Sequence, residues 1–329
     1  MKRFFSNQIA ILLSKSSILV GGQAVIEGVM MRVPGHISTA VRDPNGNIVT
    51  NRQEFNTLIN KYSYLNIPIM RGAVSLFEAM KLGFRTLQWS ADISFPEDKS
   101  QNRWYTPIVD WLMTLVSIVF ALSLFVLLPL GLTSWLSSTD QNPMIYNSIS
   151  GSIRILIFLT YLYLISKTKE ASRLFQYHGA EHKVVYTFEN GDDLTVQNSN
   201  KYPTQHPRCG TSFMFIVMFV AIMTFIVIDT IFISVFGEIT LINRLVMHIL
   251  FIPLVSGIGY EFLKFSSKHQ DKMFLKYLIK PGLWLQNITT SSPDDDQLEV
   301  ALEALKSAFG DSLEKYRGTV SYTHLTLPT

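Results

Sequence analysis

Cysteine is nearly absent from this chain, which has 329 residues and a single cysteine, Cys209. One cysteine cannot form an intramolecular disulfide, and it cannot supply the four thiolates of a zinc ribbon. A metal site here therefore needs histidine or carboxylate ligands as well. Charge is also scarce, since 16% of the residues are charged, the formal net charge is +3 and no tract is rich in lysine and arginine. Nucleic-acid binding is therefore not expected.

Long apolar runs are abundant instead, and 48% of the residues are hydrophobic. The runs cover residues 113–136, 149–166, 213–236 and 245–262. Each approaches the roughly 20 residues that a bilayer-spanning helix needs, and the third has no polar face that a soluble helix would turn to water. The sequence therefore predicts an α-helical membrane protein with about four transmembrane helices and a small cytoplasmic α+β portion of β-hairpins and amphipathic helices.

Basic residues predict the orientation, because 26 of the 28 lysines and arginines lie on one side of these runs. Cytoplasmic loops are enriched in such residues, so that side and both termini are predicted to be cytoplasmic. The predicted segments are an α+β region (1–110), a first transmembrane pair (111–166), a cytoplasmic loop (167–211), a second transmembrane pair (212–262) and a cytoplasmic helical region (263–319). Residues 1–17 have no signal-peptide pattern, and we expect the adapter-like tail, residues 320–329, to be non-native.

Two stretches of the cytoplasmic portion have the pattern of β-hairpins. Residues 39–55 predict two strands joined by a Pro-Asn-Gly turn. Residues 183–196 predict a second hairpin that turns at Asn190 and Gly191, since Asn-Gly is a strong signal for such a turn.

Two other stretches predict cytoplasmic helices. Residues 71–89 have apolar positions at helical spacing, so this helix either packs on the sheet or lies on the membrane surface. Residues 292–310 predict a short exposed helix, with Ser292 as its cap and Gly310 as its stop.

Two histidines four residues apart, His178 and His182, are the first candidates for a functional site. On a helix they project from one face about one turn apart, so both imidazoles can reach one ion. Glu181 stands beside them. The spelling H-x-x-E-H matches the inverted zinc peptidases, in which two histidines bind zinc and the glutamate activates water.

His206 and Cys209 lie in the next loop and add two metal-binding side chains. If all four residues bind, the site is closed and structural. If three bind, a position stays open for water, and Glu181 can act as a general base in hydrolysis. The plainer interpretation is that the histidines make interfacial hydrogen bonds and that this loop only begins a helix.

Four further charged residues are candidates to line the site. Glu27 and Arg32 belong to the glycine-rich stretch 21–32, which is neither a P-loop nor a dinucleotide fingerprint. This stretch either offers its charges to a metal or an anion, or is a strand between tight turns. Arg71 is a second candidate cation. Glu261, at the predicted cytoplasmic end of the fourth run, either replaces a metal ligand or faces lysines.

Polar residues also lie inside the apolar runs, among them Arg154, Asp229 and His248. Counted by helical rise, they lie at similar depth, roughly 6 to 11 Å from the outer edge. Isolated charges are costly there, so we expect pairing. A clamp between Arg154 and Asp229 is favoured over a proton or ion path.

Five blocks in order, "GGQAVIEGVMMR", "YHGAEHK", "HPRCGTSF", "GIGYEF" and "PGLWLQNITT", resemble the YqhQ-like family of bacterial integral membrane proteins. The resemblance extends over nearly the whole chain to about residue 309. It implies a multi-pass protein of the bacterial cytoplasmic (inner) membrane, with these blocks on the cytoplasmic side. The family is a domain of unknown function labelled a predicted metal-dependent enzyme, and the resemblance implies no substrate.

Two functions agree with these patterns. The first is a hydrolase that depends on zinc or another divalent metal and takes its substrate from the cytoplasm or the inner leaflet. The alternative is a non-catalytic membrane scaffold or quality-control factor with a structural metal site. Membrane lipids and other membrane proteins are the expected partners in both cases.

Overall fold

The computed structural model describes residues 18–96, 106–137, 140–206, 209–268, 273–318 and 321–322. Over these residues the protein is mostly helical, with a small antiparallel sheet. The predictions made for residues 1–17 and for most of the 320–329 tail lie outside the described residues.

The strands form a four-stranded sheet from the N-terminal part of the chain and a separate two-stranded pair. The strands are β1 (Ile18–Leu19), β2 (Gly21–Val25), β3 (Gly28–Val33), β4 (His36–Arg42), β5 (Ile48–Glu54) and β6 (Ser321–Tyr322). Strands β2 to β5 pair antiparallel in chain order, and β1 pairs parallel with β6. The predicted hairpin of residues 39–55 is confirmed as β4 and β5. At its turn, the Asp43 carboxylate accepts hydrogen bonds from the main-chain N–H groups of Asn45 and Asn47.

The remaining elements are helices. Those of the described residues are α1 (Leu58–Lys61), α2 (Met70–Ser94), α3 (Thr106–Leu122), α4 (Leu128–Leu136), α5 (Pro143–Ile165), α6 (Lys169–Asn190), α7 (Val196–Asn200), α8 (Met214–Phe236), α9 (Leu241–Leu250), α10 (Ile252–Lys268), α11 (Met273–Thr289), α12 (Asp295–Phe309) and α13 (Leu313–Tyr316).

Three helical segments are long and apolar enough to cross a membrane. They are Trp111–Leu136, which runs from α3 through a π-helical turn into α4, and helices α5 and α8. Helices α9 and α10, bent by 53° at their junction, add a fourth if they form one span. Pro253 accounts for this bend, because its ring lacks an N–H and clashes with the carbonyl of Ile249 in a continuous helix. The four apolar runs thus correspond to three or four candidate spans.

The main core lies between one face of the sheet and helices α6 and α12. Val29, Met31 and Val33 alternate along β3 and point to this side. Leu298 and Leu305 of α12 pack there and are fully buried. The prediction of a short exposed helix is therefore wrong. The apolar positions of α12 recur at helical spacing, and the sheet, which is distant in sequence, covers them.

The predicted cap of α12 is also wrong. Asp294, not Ser292, precedes the helix, and its carboxylate accepts a hydrogen bond from the main-chain N–H of Gln297 at 2.8 Å. The Gln297 side chain accepts one from the main-chain N–H of Asp294 at 3.0 Å, which completes a capping box. The predicted stop is confirmed, since α12 ends at Gly310.

Residues 183–190 belong to α6, so the predicted second hairpin is wrong. Val184, Val185 and Phe188 are buried in the main core at helical spacing. Gly191 ends the helix with a φ of 77°, in the left-handed region that glycine adopts without strain. Asn-Gly serves a hairpin turn and a helix stop equally well, and here it stops a helix.

Helix α2 covers the opposite face of the sheet. Ile37 and Val41 of β4 form a small core there with Leu82 and Trp89 of α2. Of the two predicted positions for this helix, packing on the sheet is therefore confirmed. Its first turn also contacts α10, where a Cβ added at Gly72 would lie only 2.8 Å from the Cα of Gly257.

Candidate metal centre

Helix α6 carries the two histidines and the glutamate of the H-x-x-E-H pattern. It begins at Thr168, whose hydroxyl accepts a hydrogen bond from the main-chain N–H of Ala171. The rings of His178 and His182 lie one turn apart, tilted by 57°, with centroids 4.5 Å from each other. His182 is completely buried.

Main-chain carbonyls set the tautomer of both histidines. His178 Nδ1 lies 2.8 Å from the carbonyl oxygen of Thr289, at the end of α11. His182 Nδ1 bonds the carbonyl oxygen of Thr204 in the loop after α7. Because a carbonyl oxygen only accepts, each Nδ1 carries a proton, and in the neutral imidazole each Nε2 keeps its lone pair. Metal-binding histidines are oriented in this way.

Cys209 lies beside the two histidines. Its Sγ lies 3.3 Å from His178 Nε2 and 3.2 Å from the hydroxyl of Thr211. One ligand atom from each of His178, His182 and Cys209 falls within 4.8 Å of the others. Two imidazole nitrogens and a sulfur are a ligand set that suits zinc. These residues therefore fit a divalent metal, with the histidine lone pairs already oriented to bind it.

Glu181 borders this trio from the same helix. Its Oε2 lies 3.5 Å from His182 Nε2, and its side chain is 1% exposed. Burial raises the pKa of Glu181 to about 8, while an N–H of Gly22 opposes the shift by hydrogen-bonding the carboxylate. A Cβ at Gly22 would lie 3.1 Å from Glu181 Cγ, so the glycine of β2 leaves room for this carboxylate.

His206 lies beside the trio rather than within it. Its ring centroid is 5.5 Å from that of His182, and its Nε2 is 3.7 Å from a carboxylate oxygen of Glu189. The side chain of Gln286 holds His206 in place, accepting from its main-chain N–H at 2.7 Å and donating to its carbonyl oxygen at 2.9 Å. The four predicted ligands thus lie near one another. Three of them, His178, His182 and Cys209, each place a ligand atom within 4.8 Å of the other two.

Several residues that the sequence did not single out build this centre. Lys183 Nζ donates to the carbonyl oxygens of Asn200 and Tyr202 and so fastens the loop that carries Thr204 and His206. Gln286 and Thr289 act from α11. A signal for them existed, because Lys183 belongs to the "YHGAEHK" block and the other two belong to "PGLWLQNITT".

The four candidate lining residues make contacts of their own. Glu27 pairs with Arg173 and accepts from Tyr177 at 3.3 Å, and Arg71 pairs with Glu261. Both of these carboxylates are thus held by guanidinium groups. Arg32 stacks over the ring of Phe55 at 4.4 Å.

The polar cluster within the apolar runs differs from the predicted clamp. Asp229 accepts from Arg244 Nε at 2.7 Å, from Asn147 at 2.7 Å and lies 3.2 Å from His248 Nε2. Arg154 instead lies over the ring of Phe225 at 5.9 Å and makes no ion pair within the described residues. The predicted clamp between Arg154 and Asp229 is therefore wrong, whereas the pairing of Asp229 with a basic residue is confirmed.

Comparison with known proteins shows which family the chain belongs to. A family model described as a protein of unknown function, DUF1385, matches residues 67–311. The chain belongs to this family. It is 33% identical over 299 residues to "Uncharacterized protein YqhQ" of Bacillus subtilis (strain 168), covering 86% of this chain and 90% of that protein. No solved structure matches the chain. The predicted family is confirmed, and neither description assigns a metal or a reaction.

Proposed function

We propose that this protein is a multi-pass protein of the bacterial cytoplasmic membrane that hydrolyses its substrate at a divalent-metal centre, most simply zinc, on the cytoplasmic side. The observation that carries the proposal is the convergence of one ring nitrogen from each of His178 and His182 with Cys209 Sγ, all within 4.8 Å of one another. The hydrogen bonds at both Nδ1 atoms support it, because they leave the metal-binding lone pairs in place.

The membrane placement is supported by the apolar helices and by the distribution of charge. The 26 basic residues outside the spans lie on the side that carries the sheet and the metal centre. The positive-inside rule makes that side cytoplasmic. A reducing compartment keeps Cys209 in the thiol or thiolate form, which can bind a metal.

Glu181 is the proposed general base of the hydrolysis. His178, His182 and Cys209 would hold a divalent cation that would supply Lewis-acid chemistry, and its charge would favour the ionised form of this buried carboxylate. The Glu181 Oε2 atom, 3.5 Å from His182 Nε2, accepts a proton from the attacking water and returns it to the leaving group. Because the carboxylate is shielded from bulk water, the proton stays at the site.

A structural metal site is the second candidate, and burial favours it. Glu181, His182 and Cys209 are 1%, 0% and 3% exposed, which suits a closed shell that ties α6 to the loop before α8. Glu181 or His206 would then be the fourth ligand. Such a site would serve a scaffold or quality-control factor whose partners are membrane lipids and other membrane proteins.

Cobalt separates the two candidates, because its absorption spectrum reports the ligand set. The full-length protein in detergent, loaded with Co²⁺, is expected to show a sulfur-to-cobalt charge-transfer band that Cys209→Ser removes. Added azide should shift the visible cobalt bands, since a three-ligand site keeps a position open. A spectrum that azide leaves unchanged would support the closed, structural site instead. Failure to bind one Co²⁺ per chain would reject both.

A further inference from the structure

Helix α2 carries large apolar residues on the side that faces away from the sheet. Its most buried residues are small or polar: Gly72, Ser75, Thr86, Ser90 and Ser94. Its exposed residues include a set of large apolar ones: Leu76, Phe77, Met80, Phe84 and Leu87. An amphipathic helix in water turns its apolar side inward, so the exposed side of α2 requires another apolar environment.

These five exposed residues form one continuous surface, which we call the apolar face of α2. At 3.6 residues per turn they fall within an arc of about 100°. Phe77, Met80 and Phe84 are 63%, 65% and 62% exposed. The arc lies opposite Leu82 and Trp89, which pack on the sheet. Helix α2 therefore stands between the sheet and whatever covers the apolar face.

The start of α2 is docked on the end of a candidate span. A Cβ at Gly72 would lie 2.6 Å from the Cβ of Tyr260 in α10, and Arg71 pairs with Glu261 on the same helix. Glu261 is the next-to-last residue of the span, which ends at Phe262. The apolar face thus begins at the level where α10 leaves the apolar layer, and it continues the surface of the spans.

Exposed apolar residues also lie just before α2 and at its first position. Tyr64, Ile67 and Met70 are 66%, 55% and 48% exposed. Tyrosine is enriched at the boundary between lipid and water, where its ring is buried and its hydroxyl is hydrated. The exposed apolar surface therefore extends from the chain segment before α2 along the helix itself.

Two cations lie beyond one edge of the apolar face, Lys81 about 40° and Arg85 about 80° of helix rotation past Phe77. Lys81 and Arg85 are exposed, one turn apart, and neither makes an ion pair or hydrogen bond within the part of the chain that the structure describes. Asp92 lies further along the same border. Long basic side chains at such a border keep their stems on apolar surface and extend their charge to anionic lipid headgroups.

We infer that α2 lies along the cytoplasmic surface of the bilayer, with its apolar face in the lipid and with Lys81 and Arg85 bound to anionic headgroups. The occupant is the bilayer rather than a protein because the apolar face continues the surface of the spans. The inference rests on the membrane placement proposed above and is independent of the metal. In this position, α2 holds the sheet at a fixed distance from the membrane surface. Gly22, which lies beside Glu181, belongs to that sheet.

Spin labelling of the full-length protein in lipid nanodiscs tests this placement. A nitroxide at Phe84→Cys is expected to collide with dissolved oxygen more than with a water-soluble nickel complex, as a label in lipid does. Lys306→Cys, on the exposed side of α12, should give the opposite preference, and Val227→Cys in α8 marks the membrane interior. The parent protein sets the background, because Cys209 is 3% exposed.

The outcomes distinguish a failure of this inference from a failure of the proposed membrane placement. A label at Phe84→Cys that is as accessible to nickel as the one at Lys306→Cys, while Val227→Cys stays in lipid, would overturn the inference and leave the membrane protein intact. It would also indicate that a protein partner covers the apolar face. If the label at Val227→Cys is accessible to nickel as well, the membrane placement itself fails.

Lipid composition tests the headgroup contact separately. The label at Phe84→Cys is expected to lie deeper in discs with phosphatidylglycerol than in discs of phosphatidylcholine alone. Lys81→Gln with Arg85→Gln should remove that difference, whereas the matched pair Lys306→Gln with Lys315→Gln should keep it. If the depth of the label does not depend on lipid charge, the proposed role of Lys81 and Arg85 is rejected.

Discussion

Asp229 of α8 and Arg244 of α9 form an ion pair at 2.7 Å, with both residues fully buried between candidate spans. Arg244 also lies over the ring of Tyr146 at 3.5 Å and donates to the carbonyl oxygen of Asp140 at 2.8 Å. One ion pair thus connects α8 and α9 with the start of α5.

Removal of Asp229 is expected to destabilise the protein strongly. Asp229→Ala leaves the Arg244 guanidinium buried without its counter-charge, a change that typically costs about 3–5 kcal/mol. Thermal unfolding of the detergent-purified protein measures the effect. Arg154→Gln is the control, because Arg154 makes no ion pair within the described residues, and it should cost clearly less. Equal losses of stability for the two variants would instead favour the pair between Arg154 and Asp229 that the sequence predicts.

Removal of one ligand is expected to abolish stoichiometric metal binding. His182→Ala deletes one of three groups that converge within 4.8 Å, and two remaining ligands hold a metal weakly. Elemental analysis of the purified protein gives the metal content per chain. His36→Ala on β4 is the matched control and should keep the metal. Retention of one metal per chain in His182→Ala would place the site elsewhere.

Replacement of the proposed proton carrier should separate catalysis from metal binding. Glu181→Gln preserves the size of the buried side chain, so metal content is expected to stay unchanged. Hydrolysis should fall by about 10²- to 10⁴-fold, the usual contribution of a general base. Hydrolysis rates on a panel of ester, amide and phosphoester compounds would measure this, once the parent protein cleaves one of them. An active Glu181→Gln protein would contradict the assigned role.

Two glycines in the "GIGYEF" block are expected to differ in their tolerance of a methyl group. A Cβ at Gly257 would lie 2.4 Å from the carbonyl oxygen of Ile69, whereas one at Gly259 would meet Val217 at an ordinary 3.6 Å. Gly257→Ala should therefore cost about 1–3 kcal/mol, as overpacking does. Gly259→Ala should be neutral or stabilising, because alanine favours the helix. Comparison of their thermal unfolding tests the contact between α2 and α10.

The cap of α12 provides a test of the main core. Asp294→Ala removes the side-chain acceptor of the capping box and is expected to lower the free energy of unfolding by about 1 kcal/mol. Ser292→Ala should change it by less, since Ser292 lies outside the helix and is exposed. A larger effect at Ser292 would return the cap to the position that the sequence pattern suggested.

Local patterns predicted some elements well. The apolar runs and the β4–β5 hairpin depend on hydrophobicity and turn residues within a short stretch of chain, so the sequence alone reveals them. The pattern at Asn190 and Gly191 failed, because the same dipeptide ends a helix as readily as it turns a hairpin. The burial of α12 was missed for another reason: its covering sheet lies more than 200 residues earlier in the chain.

By itself, the sequence determined which side chains are candidate metal ligands, and helical spacing alone placed His178, Glu181 and His182 next to one another. Only the tertiary structure decided that Cys209 lies beside the two histidines, that His206 faces Glu189 and that Asp229 forms its ion pair with Arg244. These contacts join segments whose relative rotation and depth depend on packing of the whole molecule. No spacing within one segment contains that information.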